Sequence, residues 1–469
     1  MRCSEKIEHW SWEGPGKTPG AFFLPRPARR RHYRSMLTCR SAAAVLVLAF
    51  AVAPALPAQA DSTWRDHDRA TDAAMARGDW SAARRHALAM DALLGGHPVV
   101  VVALARIALR LGDTTDALFQ LRRIAAMGVL AGGLSDSVFD GVRPLPAFQR
   151  MFVAIAANGR AMGSARAAAT IPDTAAIAED LAWDGARQRF IVSEVHGCRL
   201  LAVGLDGRTE PFGAPLPPGW GVLGVGADSA RGAVWATAVT LPQAAGYTKA
   251  DSGRAAILRL DLGTGALRRR FDLPAPSRAA PGDLAIAENG DVFIGDGQTG
   301  AVYVIRAEDD TLATLVPAGR MRGTQQPAMA PDGRTLFIAD YGRGLARVDR
   351  TSGSIVWLDH GPGVTLSGID GLLMDGAGLI AVQNGVSPAR IVRLTLDAAL
   401  NTVTRAGIVL RDPALAAEPT HVVRVGGTLY AIGNAGWGKY GDDGRSLANG
   451  RHLAPRILRI ALPPEAAPR

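Results

Sequence analysis

From residue 170 to residue 462, short apolar runs alternate with polar residues at a period near two and are broken every few residues by Asp-Gly, Asn-Gly or related turns. Such runs predict half-buried strands joined by hairpins. The pattern recurs in DLAWDGARQRFIVSEVHGCRLLAVGLDG (Asp180–Gly207), DLAIAENGDVFIGDGQTGAVYVIRAED (Asp283–Asp309), PAMAPDGRTLFIADYGRGLARVDRTSG (Pro327–Gly353) and DGLLMDGAGLIAVQNGVSPARIVRLTLD (Asp370–Asp397). A repeat of roughly 40–50 residues with several short strands per unit predicts a β-propeller. Six blades are expected, at about 180–213, 222–274, 283–317, 327–358, 369–410 and 420–462. Ala167–Pro172 is placed to complete the last of them. Blades two and six carry insertions, Leu241–Arg254 and Gly436–Pro455, and long loops of this kind are where function concentrates.

Residues 61–160 follow a helical period instead. Gly78 and Gly112, Asp79 and Asp113, and Ala83 and Ala117 are each 34 apart. That spacing predicts a short tetratricopeptide-like module of paired helices, a possible surface for a protein partner, too small to stand alone and docked on the propeller. The fold class is therefore mainly β: a six-bladed propeller over 168–465 preceded by a helical module.

Charge adds little. The chain has a formal net charge of +9, but residues 1–60 hold nine Lys/Arg against three Glu and so account for most of it. No basic cluster with interleaved aromatics occurs, which argues against nucleic acid as a partner. Within 1–60, Met36 begins a segment with Arg40, an apolar stretch Ala42–Val52 and Ala58-Gln59-Ala60. This has the form of a secretory signal peptide, too short to span a bilayer, and predicts a periplasmic or secreted protein with no stable membrane insertion. Beyond it Cys198 is the only cysteine, so neither an internal disulfide nor a Cys-x-x-Cys site is available.

Nucleophile-elbow, His-Glu-x-x-His and phosphate-loop motifs are missing. Gly219, Gly221 and Gly224 match G-x-G-x-x-G only formally, since a strand rather than a helix follows. The chemistry-bearing residues are polar groups at the ends of the inner strands. Glu179 and Asp180 are adjacent, so strict alternation would send only one of them to the axis, and Glu179 is preferred. Asp370 lies in a compact turn before Gly371; Gln383 and Asn384 end a strand in a polar pair, as Asn434 does in blade six. His421 opens blade six, where a lone histidine is ordinarily a hydrogen-bonded core residue. Tyr341, Trp220 and Trp437 are candidate pocket walls, although packing between blades is the commoner use of such rings. Asp184, Asp332 and Asp375 read as turn formers, and Asp296 and Asp340 as acceptors for turn amides.

Glu179-Asp180-Leu-Ala-Trp-Asp184, Gly282-Asp283-Leu-Ala, Gln326-Pro-Ala-Met-Ala-Pro-Asp332-Gly333 and Ile369-Asp370-Gly371-Leu372 together resemble the regucalcin (senescence marker protein), gluconolactonase and luciferin-regenerating-enzyme family. The resemblance covers about residues 178–462. It implies one axial divalent cation, calcium or similar, held by a blade-one Glu, two Asn and an Asp from a later Asp-Gly. Glu179 and Asp370 match the outer two positions, while Gly282 and Gln326 stand in the Asn slots. Carried over, the metal ligands are Glu179, Gln326 and Asp370, with Asp370 also the candidate catalytic base. Asp283, Tyr341, Gln383, Asn384, His421 and Asn434 are weaker candidates for a substrate pocket. The function so implied is metal-assisted hydrolysis of a small lactone or ester; the alternative is a non-catalytic propeller that binds a small ligand or a protein segment.

Overall fold

The computed structural model describes residues 63–274, 277–447 and 453–462. The leader and its signal-peptide pattern lie outside the described residues, as do residues 448–452 of the blade-six insertion.

Among the described residues five α-helices come first: α1 (Trp64–Ala76), α2 (Trp80–Leu93), α3 (Pro98–Arg110), α4 (Thr114–Met127) and α5 (Pro146–Ala157). The 34-residue repeat has a local cause. Gly78 and Gly112 adopt φ of 72° and 75°, the left-handed turn that ends a helix, and Asp79 and Asp113 accept the Ala82 and Asp116 amides as N-caps of α2 and α4. Ala83 and Ala117 are buried at 0% and 1% exposure, where a larger side chain would push the helix pairs apart.

Six sheets, antiparallel but for one short parallel pair in the fifth, follow among the described residues. Their inner strands are Ala178–Asp184, Trp220–Asp228, Pro281–Ile286, Thr324–Met329, Ile369–Asp375 and Val422–Val425. Each of the first five sheets is built from four consecutive strands running outward, and the fifth adds the two-residue strand Asp359–His360, parallel to its outer strand. The sixth takes its outermost strand, Ala165–Thr170, from the segment before blade one, pairing it with Arg456–Ile460. Such pairing ties the segment before blade one to the last blade and so closes the ring. Between blades the second strands contribute wholly buried rings, among them Phe190, Phe293 and Phe337 at 0% exposure.

The inner strands share an irregularity that alternation does not predict. In five of the six blades the register with the second strand slips by one residue, between Ala178 and Leu181, Val222 and Val225, Pro281 and Leu284, Thr324 and Pro327, and Ile369 and Leu372. Each slip is a β-bulge, which holds two residues against one on the partner strand. The bulged pairs are Glu179-Asp180, Leu223-Gly224, Gly282-Asp283, Gln325-Gln326 and Asp370-Gly371.

The helical module packs on the propeller through blades four and five. Arg390, 3% exposed, donates to the Met127 and Gly128 carbonyls at the end of α4 at 2.7 and 2.9 Å. Arg411 Nε reaches the Arg160 carbonyl at 2.7 Å, Leu130 N donates to Ser387 O at 2.6 Å, and His360 Nε2 lies 3.1 Å from Gly95 O. A guanidinium at the carboxyl end of a helix answers both the unpaired carbonyls and the negative end of the dipole. Among the described residues no helix is long and apolar enough to cross a membrane.

Candidate functional site at the propeller axis

The bulges decide which side chains meet. Because one residue is extra, Glu179 and Asp180 both turn toward the axis, and the expectation that only one would do so is corrected. Around His421, which immediately precedes the inner strand of blade six, two groups of ligand-type atoms form: Glu179, Asp370 and His421, and Asp180, Asp283 and His421. Within each group the atoms lie within 4.8 Å of one another. None of these five residues is more than 7% exposed.

His421 is fixed from one side. Its Nδ1 sits 2.9 Å from the Glu179 carbonyl oxygen, which can only accept, so Nδ1 carries the proton. Nε2 points the other way, 3.0 Å from Asp283 Oδ1, in an ion-pair contact. Asp283 Oδ2 is buried and lacks a hydrogen-bond partner. Thr420 Oγ1 adds a second short donor to the Glu179 carbonyl at 2.5 Å.

The remaining carboxylates are held individually. Glu179 Oε2 accepts from the Trp437 indole at 2.5 Å, Asp180 accepts from the Leu181 and Val225 amides at 2.7 and 2.9 Å, and Asp370 Oδ2 accepts from Asn384 Nδ2 at 2.5 Å. Tyr341 OH in turn donates to Asn384 Oδ1 at 3.0 Å.

Four carboxyl groups around one imidazole exceed what a buried site can carry as free charge. Burial pushes Glu179 well above its usual range, with Asp370 and Asp283 adding to the rise against the pull of His421. Asp180 is raised to about 6, and Asp370 to about 7, burial being the largest cause of each. For His421 burial favours the neutral ring, but the Asp283, Asp180 and Asp370 carboxylates outweigh it and hold the ring well above 6.5. Without a further cation the centre therefore keeps protons on some of its acids near neutral pH.

Other residues singled out by sequence have different work. Gln326 Oε1 accepts the Leu372 amide at 2.8 Å, so its carbonyl ties blade four to blade five. Gln383 does not line a pocket: its amide nitrogen donates to Thr365 O and Ser367 O, and its oxygen accepts from Arg390. It occupies the same register position as Glu194, Asp296 and Asp340, the last residue of the second strand. Those three acids take loop and turn amides, including Gly197, Gln298 and Gly342. Asp184 and Asp332 bind turn amides, whereas Asp375 pairs with Arg393 and Arg424. Asn434 Oδ1 accepts the Ala417 amide at 3.3 Å. Trp220 packs in an inter-blade apolar cluster, and Cys198 is a buried free thiol. Asp180 and His421 are the site residues that sequence reasoning undervalued. The available signal was a dipeptide without an apolar side chain at one position of blades one, three, four and five, Glu-Asp, Gly-Asp, Gln-Gln and Asp-Gly, where an alternating strand would place one polar and one apolar residue; blade two, with Leu223-Gly224, lacks it.

Fold and site together define a six-bladed β-propeller with a buried, carboxylate-rich axial centre that could coordinate a divalent metal. Among solved structures, similar chains include a glucose dehydrogenase (15% identity, TM-score 0.45, 64% of this chain and 100% of that one). Others are the luciferin-regenerating enzyme (14%, 0.44, 64% and 95%) and a gluconolactonase from Xanthomonas campestris (16%, 0.41, 65% and 98%). No family model and no curated protein sequence matches the chain.

Proposed function

We propose that the axial centre is a divalent-metal site and that the protein is a metal-assisted hydrolase of a small lactone or ester. The observation that carries this reading is the convergence of Glu179, Asp370 and His421 within 4.8 Å, with the His421 Nδ1 proton already committed to a backbone carbonyl. Metal-ligating histidines are ordinarily held that way, one nitrogen tied to a carbonyl and the other offered to the ion. The unpartnered Asp283 Oδ2 and the surplus of buried carboxyls fit the same need for a cation. An imidazole among carboxylates suits zinc, manganese or iron(II) better than calcium, which prefers oxygen alone, so the ligand set proposed is Glu179, Asp370 and His421 with Asp283 beside it. Gln326, with its oxygen on the Leu372 amide, is left out of that set.

A bound divalent ion would polarise an ester carbonyl and acidify a water there. The chain's own contribution is to exclude solvent and to hold the Asp370 carboxyl, fixed by Asn384, at the axis beside the ion, where it is the candidate base. The export pattern in residues 36–60 supports a periplasmic or secreted setting. The direct test is turnover of a panel of γ- and δ-lactones and aryl esters by chelator-stripped protein, before and after adding zinc, manganese or calcium. Metal-restored turnover that Asp370→Asn abolishes is the expected result; turnover indifferent to both chelator and metal would refute the reading.

A second reading rests on the enclosure of the site. The Trp437 indole caps Glu179, and Asn384 and Trp437 are no more than 8% exposed. On this reading the centre binds an ion without chemistry, and the protein is a binding propeller with the helical module as a partner surface. Metal-dependent stabilisation with no turnover of any lactone or ester would favour it.

A further inference from the structure

The chain Tyr341–Asn384–Asp370 is built with more care than a chance contact requires. Asn384 follows the last residue of the second strand of blade five, and its amide is polarised along one line: Tyr341 OH donates to Oδ1 at 3.0 Å, and Nδ2 donates to Asp370 Oδ2 at 2.5 Å. Only this orientation of the amide serves an ionised carboxylate, because the flipped group would set oxygen against oxygen. Tyr341 reaches Asn384 because the backbone around it lacks side chains. A Cβ at Gly385 would stand 2.8 Å from Tyr341 Cζ and OH and 2.5 Å from Gly368 Cα. The glycines are further laced to the tyrosine's own backbone, Gly368 N to Tyr341 O at 2.8 Å and Gly385 N to Gly368 O at 3.1 Å. Asn384 is 8% exposed and Asp370 5%.

We propose that Tyr341 and Asn384 are positioning residues for the axial ion: by engaging Asp370 Oδ2 they fix the carboxylate's rotation and leave Oδ1 to face the cation. This rests on the metal reading of the centre. A carboxylate free to rotate about its Cβ–Cγ bond would spend part of its time with neither oxygen aimed, whereas a hydrogen-bonded one is pre-set, and outer-shell partners of this kind are typically worth about 10–100-fold in metal affinity. The tyrosine acts one bond further out. The carboxylate dictates which way the Asn384 amide faces, and the tyrosine hydroxyl, by holding Oδ1, anchors that amide in place so that Nδ2 stays on Asp370.

Calorimetric titration of the chelator-stripped full chain with zinc and with cobalt(II), joined to the visible spectrum of the cobalt form, tests the proposal. Tyr341→Phe deletes only the hydroxyl and is expected to weaken zinc about tenfold and to alter the cobalt band. Asn384→Leu is expected to weaken zinc by the larger part of the 10–100-fold range. Tyr341→Phe should leave the melting temperature of the metal-free protein near the wild-type value, whereas Asn384→Leu, which leaves Asp370 Oδ2 and the Tyr341 hydroxyl without their partner, should lower it. If the wild type binds but Tyr341→Phe matches it in affinity and spectrum, the positioning role is overturned while the metal reading stands. A wild type that takes up neither ion overturns the metal reading itself, and this inference with it. Should Asn384→Leu fail to fold, the tyrosine variant alone decides, since it adds no atoms and leaves the backbone unchanged.

Discussion

His421 and the acids around it carry an electrostatic cost that ordinary stability would not select. Between the unfolded chain and the fold, Asp180 rises from 3.8 to about 6 and Asp370 from 3.8 to about 7, burial being the main cause. A carboxyl raised on folding binds its proton more tightly in the native state, so its contribution is fully present below about pH 4 and is lost as pH rises through 6 and 7. His421, held well above 6.5 by its carboxylate neighbours against the opposing effect of burial, has the same sign: its stabilisation is present below 6.5 and is lost as pH climbs further. The metal-free protein should therefore lose stability from pH 5 to pH 8 in urea titrations, the reverse of the trend for salt-bridged carboxylates, and saturating zinc should flatten that slope. A metal-free protein that gains stability over this range would contradict the assigned shifts. By the same logic Asp370→Asn, which removes a buried charge at constant shape, should leave the metal-free melting temperature equal or higher while reducing zinc affinity beyond the roughly 10–100-fold typical of supporting residues. An unchanged calorimetric isotherm would remove Asp370 from the ligand set.

At the level of the element, the repeated bulge is what turns a propeller into a site. Gly371 sits inside the blade-five bulge, where a Cβ would stand 2.6 Å from Thr420 O and 2.9 Å from His421 Cα. Gly224 has the same relation to blade three, with Gly282 O at 2.4 Å and Asp283 Cα at 2.9 Å. Inner strands this close tolerate no side chain, and Gly371→Ala or Gly224→Ala is expected to cost about 1–3 kcal/mol in urea unfolding. Gly371→Ala should also weaken zinc, because it displaces His421. The strands themselves were legible in the sequence, since their alternation and turn residues are local. The bulges were not, because a slip of one residue is set by how neighbouring inner strands crowd at the axis. That is why Glu179 could be picked out while Asp180 and His421 were undervalued, and why Gln383, equivalent by register to three turn-binding residues, was mistaken for a pocket group. Gln326 shows the same limit: its type suited a ligand, but its length lets it reach the Leu372 amide.

For the whole molecule, six sheets close into a ring through the strand Ala165–Thr170, and the helical module is locked to blade five by buried guanidinium groups. The ring and the preceding helices were readable from two periods in the sequence, one near 45 residues and one of 34. The docking was not, since it depends on Arg390 and Arg411, two arginines among many. Arg390→Leu strands the Met127 and Gly128 carbonyls and the Gln383 oxygen, and should cost about 2–4 kcal/mol and expose the helical module to limited proteolysis. Cleavage at the wild-type rate would show that the arginine does not hold the interface. At the axis itself, a metal ion is expected between Glu179, Asp370 and His421. Anomalous diffraction at the zinc edge from crystals of the full chain soaked in zinc tests this most directly. The predicted result is one strong peak bonded to His421 Nε2 and to carboxylate oxygens of Glu179 and Asp370. A featureless axis, with zinc bound only at the surface, would contradict it.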